Sequence, residues 1–555
     1  MVGAYLVRGW TRWILPGIGL LLALVASFVA VRVDAWWSLL AALGWGIVAL
    51  AIYDALQRQS ALLANYLVLA RLRGLALHLR PFFRSYLVED DQEGKPYSYE
   101  SRSLVYRRAA GISSTHPFGT QLDTYREGFN WITHSMAPVN RPAEKPRVLV
   151  GAEATEQPYS ASVFNISALS FGAISGRAIE SLVLGARLGN FYLDTGEGGI
   201  SRYHRGHGGD LVFEIGSGYF GCRDARGRFD PEAFADQARQ DCVRMTEIKL
   251  SQGAKPGHGG VLPAAKVSPE VAAARGIPVH RECRSPRAHS AFSTPIELVQ
   301  FAAEMRRLSG GKPVGVKFCV GQIHEVMAII KAMLETGIYL DYIVVDGAEG
   351  GTGAAPLELT NHVGMPLLDG LIVVRNALVG SALHHQVRLA ASGKIHSGTH
   401  IAECMAIGAD WCNAARAFMF AIGCIQAQRC HTGTCPSGVA TQDPARQRRL
   451  VPEVQAERVR NFHDATVHAL MDIVAAAGLE HPRALRPHHV YHRVSVSKSL
   501  PLDRIWEFLP EGALLEEPGK TSYAFWWRAA DPESFKPRLD LSVVRNTVPR
   551  LASLR

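Results

Sequence analysis

Cysteine is scarce in this sequence, at nine of 555 residues, and it is unevenly spread. Three of the nine stand in "CIQAQRCHTGTCPSG" at the spacing C-x5-C-x4-C. A disulfide framework is disfavoured because the chain is long, the local count is odd and no secretory signature is visible. Zinc is disfavoured because no matching second pair of ligands is visible. Two explanations stay open: an iron–sulfur cluster that lacks one iron, and burial of the cysteines as small apolar side chains.

Long runs of basic residues interleaved with aromatic ones are also missing. The net charge of +9 is compatible with nucleic acid, acidic lipid or anionic small molecules as partners. Most of the basic residues are scattered arginines, so we do not expect nucleic acid as a partner. The hydrophobic content of 48% and charged content of 20% are ordinary for a globular protein and argue against disorder.

Two long uncharged segments stand near the N-terminus. "WILPGIGLLLALVASFVAV" and "AWWSLLAALGWGIVALAIY" are separated by three residues, and each is nearly long enough as a helix to span a hydrocarbon core. A signal peptide is disfavoured because the second segment follows the first at once. Residues 1–56 are therefore predicted to form a transmembrane hairpin with tryptophans at its ends.

Basic residues predict the orientation of this hairpin. They flank its two outer ends rather than its connecting loop, at Arg8, Arg12, Arg58, Arg71, Arg73, Arg80 and Arg84, with Trp10 also preceding the first segment. The positive-inside rule then places both termini in the cytoplasm. We therefore expect a bacterial inner-membrane protein with two transmembrane helices and a cytoplasmic catalytic domain.

Residues 57–150 form a basic lead-in segment. Its apolar, arginine-rich stretch "LLANYLVLARLRGLALHLRPFF" has no acidic residue and predicts an amphipathic helix. Two interpretations stay open: contact with anionic membrane lipid, and packing on the soluble domain.

Residues 151–480 alternate apolar strands, glycine-rich loops and helical stretches. Strands such as "KPVGVKFC" and "YIVVDGAEGG" are followed by loops that carry polar residues, while "HEVMAIIKAMLETG" predicts a helix. This order favours an α/β fold, a (β/α)8 TIM barrel, with a site at the carboxyl ends of its strands. A doubly wound sheet is the alternative, but no G-x-G-x-x-G motif opens a helix. Residues 481–555 are predicted to be a mostly helical and irregular C-terminal extension.

Two features of the predicted barrel mouth suit a bound anionic cofactor. Gly393, Lys394, Ala415 and Arg416 follow late strands, where small residues let backbone N–H groups approach a phosphate. Simple tight turns are the other explanation. Lys317 ends a buried strand and could place a cation beside a flavin ring, or it could extend to solvent.

Five motifs resemble, in order, the FMN-binding domain of glutamate synthase. They are "ISALSFGAISGRAIE", "TGEGG", "EIKLSQGAKPGHGG", "GGTGAAP" and "GCIQAQRCHTGTCPSGVATQDP". The resemblance covers about residues 145–480 and implies a (β/α)8 barrel that binds FMN beside a [3Fe–4S] cluster. It implies that Cys424, Cys430 and Cys435 are the cluster ligands.

The resemblance also assigns roles to other residues. It implies flavin contacts for Ala168, Ser170, Gly172, Gln252, Gly350, Gly351 and Lys317. It implies a substrate site formed by Glu197, Lys249, Lys255 and Arg275, with Lys317 and Glu197 as catalytic residues. Converging cations suit a dicarboxylate such as 2-oxoglutarate.

The chain departs from the family pattern near the expected substrate. His258 replaces a carboxylate and Val261 replaces an amide, while Asp194 precedes the "TGEGG" motif. His204 and His207 belong to an added cluster, for which a structural role and a substrate role stay equally open.

The resemblance implies a membrane-anchored oxidoreductase acting on CH–NH2 groups. It would aminate a 2-oxo acid reductively or oxidise an amino acid. We expect neither a glutaminase nor a dinucleotide-binding domain, so ammonia would come from solution or another chain. Electrons would be exchanged with an external carrier, a ferredoxin-like protein or a quinone-linked partner. The alternative is a non-enzymatic electron-transfer or assembly subunit.

Overall fold

The computed structural model describes residues 11–57, 61–152 and 155–539. The chain divides into two compact units, Met1–Tyr99 and Glu100–Arg555. Arg8, Trp10 and Arg58, used above to orient the hairpin, lie outside the described residues, as does the end of the C-terminal extension.

Two long apolar helices dominate the N-terminal unit. They cover Ile14–Arg32 and Ser38–Leu56, and by length and hydropathy both could cross a membrane. A Cβ placed on Gly44 would lie 2.5 Å from the backbone nitrogen of Ala23, so glycine allows the two helix backbones to touch. The prediction of two apolar helices is confirmed, whereas their insertion in a membrane stays a prediction.

The basic lead-in segment is helical. It forms helices Ala61–Tyr66 and Val68–Phe83 and a π-helical turn at Arg84–Val88. The guanidinium of Arg71 donates to both carboxylate oxygens of the buried Asp54, at 2.9 and 3.1 Å. This ion pair connects the basic helix to the end of the second apolar helix.

Eight parallel strands form a closed barrel in the second unit. In chain order, and numbered one to eight here, they are Phe164–Ile166, Leu193–Asp194, Leu211–Ile215, Val243–Lys249, Val314–Phe318, Tyr342–Asp346, Arg388–Ser392 and Trp411–Ala414. The eighth strand pairs with the first, where Asn413 faces Asn165, and this closes the ring. The predicted (β/α)8 barrel is confirmed.

Helices connect and cover the strands. Those of eight residues or more in this part of the chain are Tyr99–Ala109, Gly176–Gly189, Pro231–Ala238, Pro295–Leu308, Ile323–Thr336, Leu367–Gly380, Gly398–Ile407 and Pro452–Ala476. Shorter ones are Arg202–Arg205, Pro269–Arg275, Leu357–His362, Arg416–Ala421, Pro444–Gln447, Ala513–Glu516 and Ala524–Ala529.

Local sequence explains where these elements begin and what they bury. Tyr342–Val345 of strand six are buried, as a strand between barrel core and outer helices requires. Thr294 and Glu297 form a capping box, and Pro295 occupies the first helical position of Pro295–Leu308.

In the part of the chain that the structure describes, three small antiparallel sheets accompany the barrel. Arg147–Val150 pairs with Tyr159–Ser162, and Val261–Leu262 pairs with Cys283–Arg284. The third sheet joins Asn130–Ile132 to Val490–Ser495 and Lys498–Pro501. The C-terminal extension therefore contributes two strands that the sequence analysis does not predict.

Candidate active site

One cleft lies at the carboxyl ends of the barrel strands. It is lined by loops that follow strands one, two, four, six and eight. Predicted site residues among its lining are Ser170, Glu197, Lys249, Gln252, Lys255, Arg275 and Cys430. The structure thus brings the substrate set together with parts of the predicted flavin and cysteine loops.

Glu197 and Lys249 form an ion pair in this cleft. Lys249 ends strand four, and its Nζ donates to Glu197 Oε2 at 3.1 Å and to Gln252 Oε1 at 3.2 Å. A Cβ on Gly260 would lie 1.9 Å from Glu197 Oε1, so only glycine leaves room for the carboxylate. Lys249 is fixed in position by these contacts.

The charge state of Glu197 follows from its neighbours. Burial by itself would raise the pKa of this carboxyl. The positive charges of Lys249, Arg275 and Lys255 outweigh that effect and lower the pKa to about 2. Glu197 is therefore ionised at neutral pH and acts as an acceptor rather than as a proton donor.

Lys255 and Arg275 supply two more buried cations. Lys255 donates to the backbone oxygen of Ala354 at 2.9 Å. Burial lowers its pKa, and the opposing effect of Glu197 is smaller. Arg275 donates from Nη2 to the backbone oxygen of Phe171 at 3.0 Å and lies over the ring of Phe220. Its Nε is buried and has no hydrogen-bond partner among the described residues.

Lys317 lies inside the barrel among carboxylates. Its side chain is 3% exposed, and its ammonium contacts Glu214, Glu247 at 3.1 Å and Asp194 at 3.4 Å. Of the two interpretations of Lys317, extension to solvent is wrong, because the side chain is buried among these three acids. Its role beside a flavin stays a prediction.

The loop after strand one holds Ala168, Ser170 and Gly172. Ser170 lines the cleft, and its backbone oxygen accepts from the N–H groups of Ala173 and Ile174 in a tight turn. Gly172 has a φ of +98°, a conformation that side chains rarely adopt.

The predicted phosphate loops adjoin one another. A Cβ on Gly351 would lie 2.5 Å from Arg416 Nε, and Arg416 donates to the backbone oxygen of Glu349 at 2.7 Å. Gly393, with a φ of +152°, approaches Gly347 of the preceding loop. Ala415 precedes the short helix Arg416–Ala421. The charge of Lys394 opposes the rise that burial causes in the pKa of Glu349. The backbone N–H of Gly350 donates to the backbone oxygen of Gly347. Phosphate binding here stays a prediction.

The three clustered cysteines lie near one another in one loop. None of the nine cysteines, all within the described residues, forms a disulfide. Burial, together with the neighbouring Cys430 and Cys435, raises the pKa of Cys424 to about 12. Cys435 is buried, and Cys424 and Cys430 are of intermediate exposure. Three thiols on one loop offer the donor chemistry that iron–sulfur clusters use.

Lys266 is a site residue that the sequence analysis missed. It lines the cleft, is 4% exposed, and donates to the backbone oxygens of Ala173 (2.8 Å) and Cys430 (3.1 Å). Burial lowers its pKa to about 8. The available signal was a single lysine inside the apolar stretch "VLPAAKV".

The departures from the family pattern have separate locations. Val261 lines the cleft, and His258 lines an adjoining recess next to Glu197. His204 is buried and accepts from the backbone N–H of Ser201 in a capping box, and burial lowers its pKa to about 3. His207 lies 3.8 Å from Glu180. These contacts favour the structural role for His204 and His207.

The fold and the cleft define a (β/α)8 barrel protein with a cation-rich mouth beside a cysteine loop. The conserved region of glutamate synthase matches residues 120–480. The glutamate synthase large subunit-like protein YerD of Bacillus subtilis is 33% identical over 495 residues, covering 82% of this chain and 94% of that protein. The chain belongs to the glutamate synthase family.

Other matches cover less of the chain or have a lower identity to it. The archaeal-type glutamate synthase (NADPH) of Thermotoga neapolitana is 35% identical over 321 residues, which is 58% of this chain and 60% of that enzyme. A solved (S)-mandelate dehydrogenase chimera is 13% identical, with a TM-score of 0.42 over 71% of this chain and 98% of that chain. A likeness that remote adds nothing to the strand order already described.

Proposed function

We propose that the chain is a membrane-anchored oxidoreductase of the glutamate synthase type. It would bind FMN and a [3Fe–4S] cluster and interconvert a 2-oxo acid such as 2-oxoglutarate and the corresponding amino acid. The observation that carries the proposal is the cleft itself. Lys249, Lys255 and Arg275 line it together with Ser170 of the predicted flavin loop and Cys430 of the cysteine loop.

The residues at the barrel mouth fit FMN. Gly350, Gly351 and Gly393 leave backbone accessible, and Lys394 and Arg416 add cations, which together suit a phosphate group. The donor set of the cysteine loop fits a cluster in the same way, because thiolates are the usual ligands of iron–sulfur clusters. Bound FMN would exchange a hydride with the substrate carbon, and a bound cluster would exchange single electrons with a carrier.

The protein's own residues would bind and orient the substrate. Four cations line the cleft, namely Lys249, Lys255, Lys266 and Arg275, against one lining carboxylate, Glu197. A dicarboxylate would lower this excess of three positive charges to one, whereas a monocarboxylate would lower it only to two. Lys255, which donates to the backbone oxygen of Ala354, would add a charge-assisted bond to a substrate carboxylate.

Ligand titrations test the substrate class. In flavin-loaded protein, 2-oxoglutarate or glutamate should perturb the flavin spectrum at lower concentration than pyruvate or alanine. Lys255→Ala should weaken that response about 10- to 100-fold, the loss expected for one charge-assisted bond, without releasing FMN. Lys498→Ala, at an exposed position on the C-terminal hairpin, is the matched control. Equal affinities for mono- and dicarboxylates would contradict the proposal.

The membrane anchor is the second part of the proposal. The helices Ile14–Arg32 and Ser38–Leu56 support it by length and hydropathy. With both termini cytoplasmic, residues 55–555 would lie where thiols stay reduced, and an external carrier such as a ferredoxin-like protein or a quinone-linked partner could reach the cluster. Anionic lipid would contact the basic lead-in helix.

Reporter fusions test the orientation. A reporter that is active only in the periplasm should be inactive at the C-terminus and active in the turn at Arg32–Asp34. A cytoplasmic reporter should give the reverse pattern. Periplasmic activity at the C-terminus would overturn both the orientation and the redox argument.

A further inference from the structure

Lys266 lies between the loop after strand one and the cysteine loop. It ends a 3-10 turn, Ala264–Lys266, and its Nζ donates to one backbone oxygen of each loop, Ala173 at 2.8 Å and Cys430 at 3.1 Å. A Cβ on Gly433 would lie 3.7 Å from the Cγ of Lys266, so the lysine stem passes beside the turn between Cys430 and Cys435. The side chain therefore contacts the cysteine loop at two points.

A second, uncharged contact joins the same regions. Gln442 donates from Nε2 to the backbone oxygens of Gly172 at 3.3 Å and Ile174 at 2.9 Å. Both side chains hold the strand-one loop against the segment that carries the cysteines, but Lys266 alone of the two brings a positive charge. Gln442 therefore contributes to the position of the loops without a charge, whereas Lys266 contributes both.

We propose that Lys266 is a positioning residue for the iron–sulfur loop, fixing the Cys430 turn against the strand-one loop and, by its charge, making a cluster bound there easier to reduce. The proposal rests on the proposed function, since it depends on a bound cluster. Reduction adds negative charge to a cluster, and net charge and hydrogen bonding at the site set its potential. At 4% exposure the charge of Lys266 is poorly screened by water.

The chain offers a matched control for this lysine. Lys312 is 5% exposed and also donates to two backbone oxygens, those of Ala238 at 2.7 Å and Gln240 at 2.8 Å. It precedes strand five, at the end of the barrel opposite the cleft. Lys312→Met thus removes a similar buried cation with similar bonds far from the cysteines.

Redox titration of the cluster, followed by EPR, is the test. Lys266→Met should shift the reduction equilibrium at least about tenfold toward the oxidised cluster, which is about 59 mV for a one-electron couple. Lys266→Gln keeps a donor without the charge and should retain iron with a similar shift. Lys266→Arg should shift it less than about threefold, and Lys312→Met should leave it unchanged.

The outcomes separate the two proposals. Wild-type protein without iron would refute the proposed cofactor, and with it this inference. If the wild-type protein contains iron and FMN, but its cluster has the same reduction potential as that of Lys266→Met, only the inference about Lys266 is refuted. Equal shifts in Lys266→Met and Lys312→Met would also refute it. Loss of iron in Lys266→Met, with iron kept in Lys266→Gln and Lys312→Met, would support the positioning role.

Discussion

Replacing Lys317 with Met should destabilise the barrel by about 3–5 kcal/mol, the cost of removing one partner from a buried ion network. The lysine is 3% exposed, and Asp194, Glu214 and Glu247 surround its ammonium. Methionine is of similar length and apolar, so little packing is lost. The variant would remove the cation that the three acids share and leave only Lys249, whose Nζ lies 3.9 Å from Glu214 Oε1. Urea denaturation of the purified protein would measure the loss.

The pH dependence of this loss distinguishes charge from packing. Burial, and then Asp194, raise the pKa of Glu247 well above its usual value, so the folded state holds a proton that the unfolded state releases. The contribution of such a group to stability falls as pH rises above its unfolded pKa. Without Lys317, neighbouring carboxylates should behave in the same way. The deficit should be larger at pH 8 than at pH 5.

Lys312→Met is again the appropriate control. It removes a buried lysine whose partners are neutral carbonyl groups, so it should cost about 1–3 kcal/mol and show little of this pH dependence. A Lys317→Met protein as stable as the wild type would show that the three acids need no cation. The same deficit at both pH values would show that packing is responsible.

The architecture could be predicted because most barrel strands are continuous apolar runs. "YIVVD" of strand six and "VGVKF" of strand five are of this kind. Strand three, Leu211–Ile215, is not among the predicted strands, and its fourth residue is Glu214. That carboxylate is stabilised by Lys317 and Lys249, which lie on other strands. Such pairing is not visible in a local pattern.

The site could be predicted where chemistry is written in short motifs. The structure brings Glu197, Lys249, Lys255 and Arg275 into one cleft, as the resemblance implies. Lys266 could not be predicted because its hydrogen-bond acceptors are backbone oxygens of residues distant in the sequence. Every residue type has a backbone oxygen, so no motif marks such a partner. For His204 the partner is instead local, because its imidazole accepts from the backbone N–H of Ser201 at the start of a short helix. The histidine-rich sequence alone does not distinguish this capping role from a role in substrate binding.

The largest expected change in cofactor content is the loss of iron in Cys430→Ser. Wild-type protein prepared without oxygen should contain about three irons per chain and one FMN, whereas the variant should lose nearly all of the iron, because serine is a poor cluster ligand. FMN should stay bound, since the predicted phosphate contacts at Gly351 and Arg416 belong to other loops. Iron analysis and the flavin absorbance of the same sample measure both.

Cys242→Ser controls for the loss of any partly exposed thiol. Cys242, like Cys430, is a free cysteine of intermediate exposure, but it precedes strand four at the opposite end of the barrel. This variant should keep both iron and FMN. Iron in Cys430→Ser at the wild-type level would remove Cys430 from the ligand set. Iron well below three per chain in anaerobic wild-type protein would instead refute the cluster. Loss of FMN together with iron would mean that the cysteine loop also holds the flavin, because Lys266 and Gln442 join it to the strand-one loop.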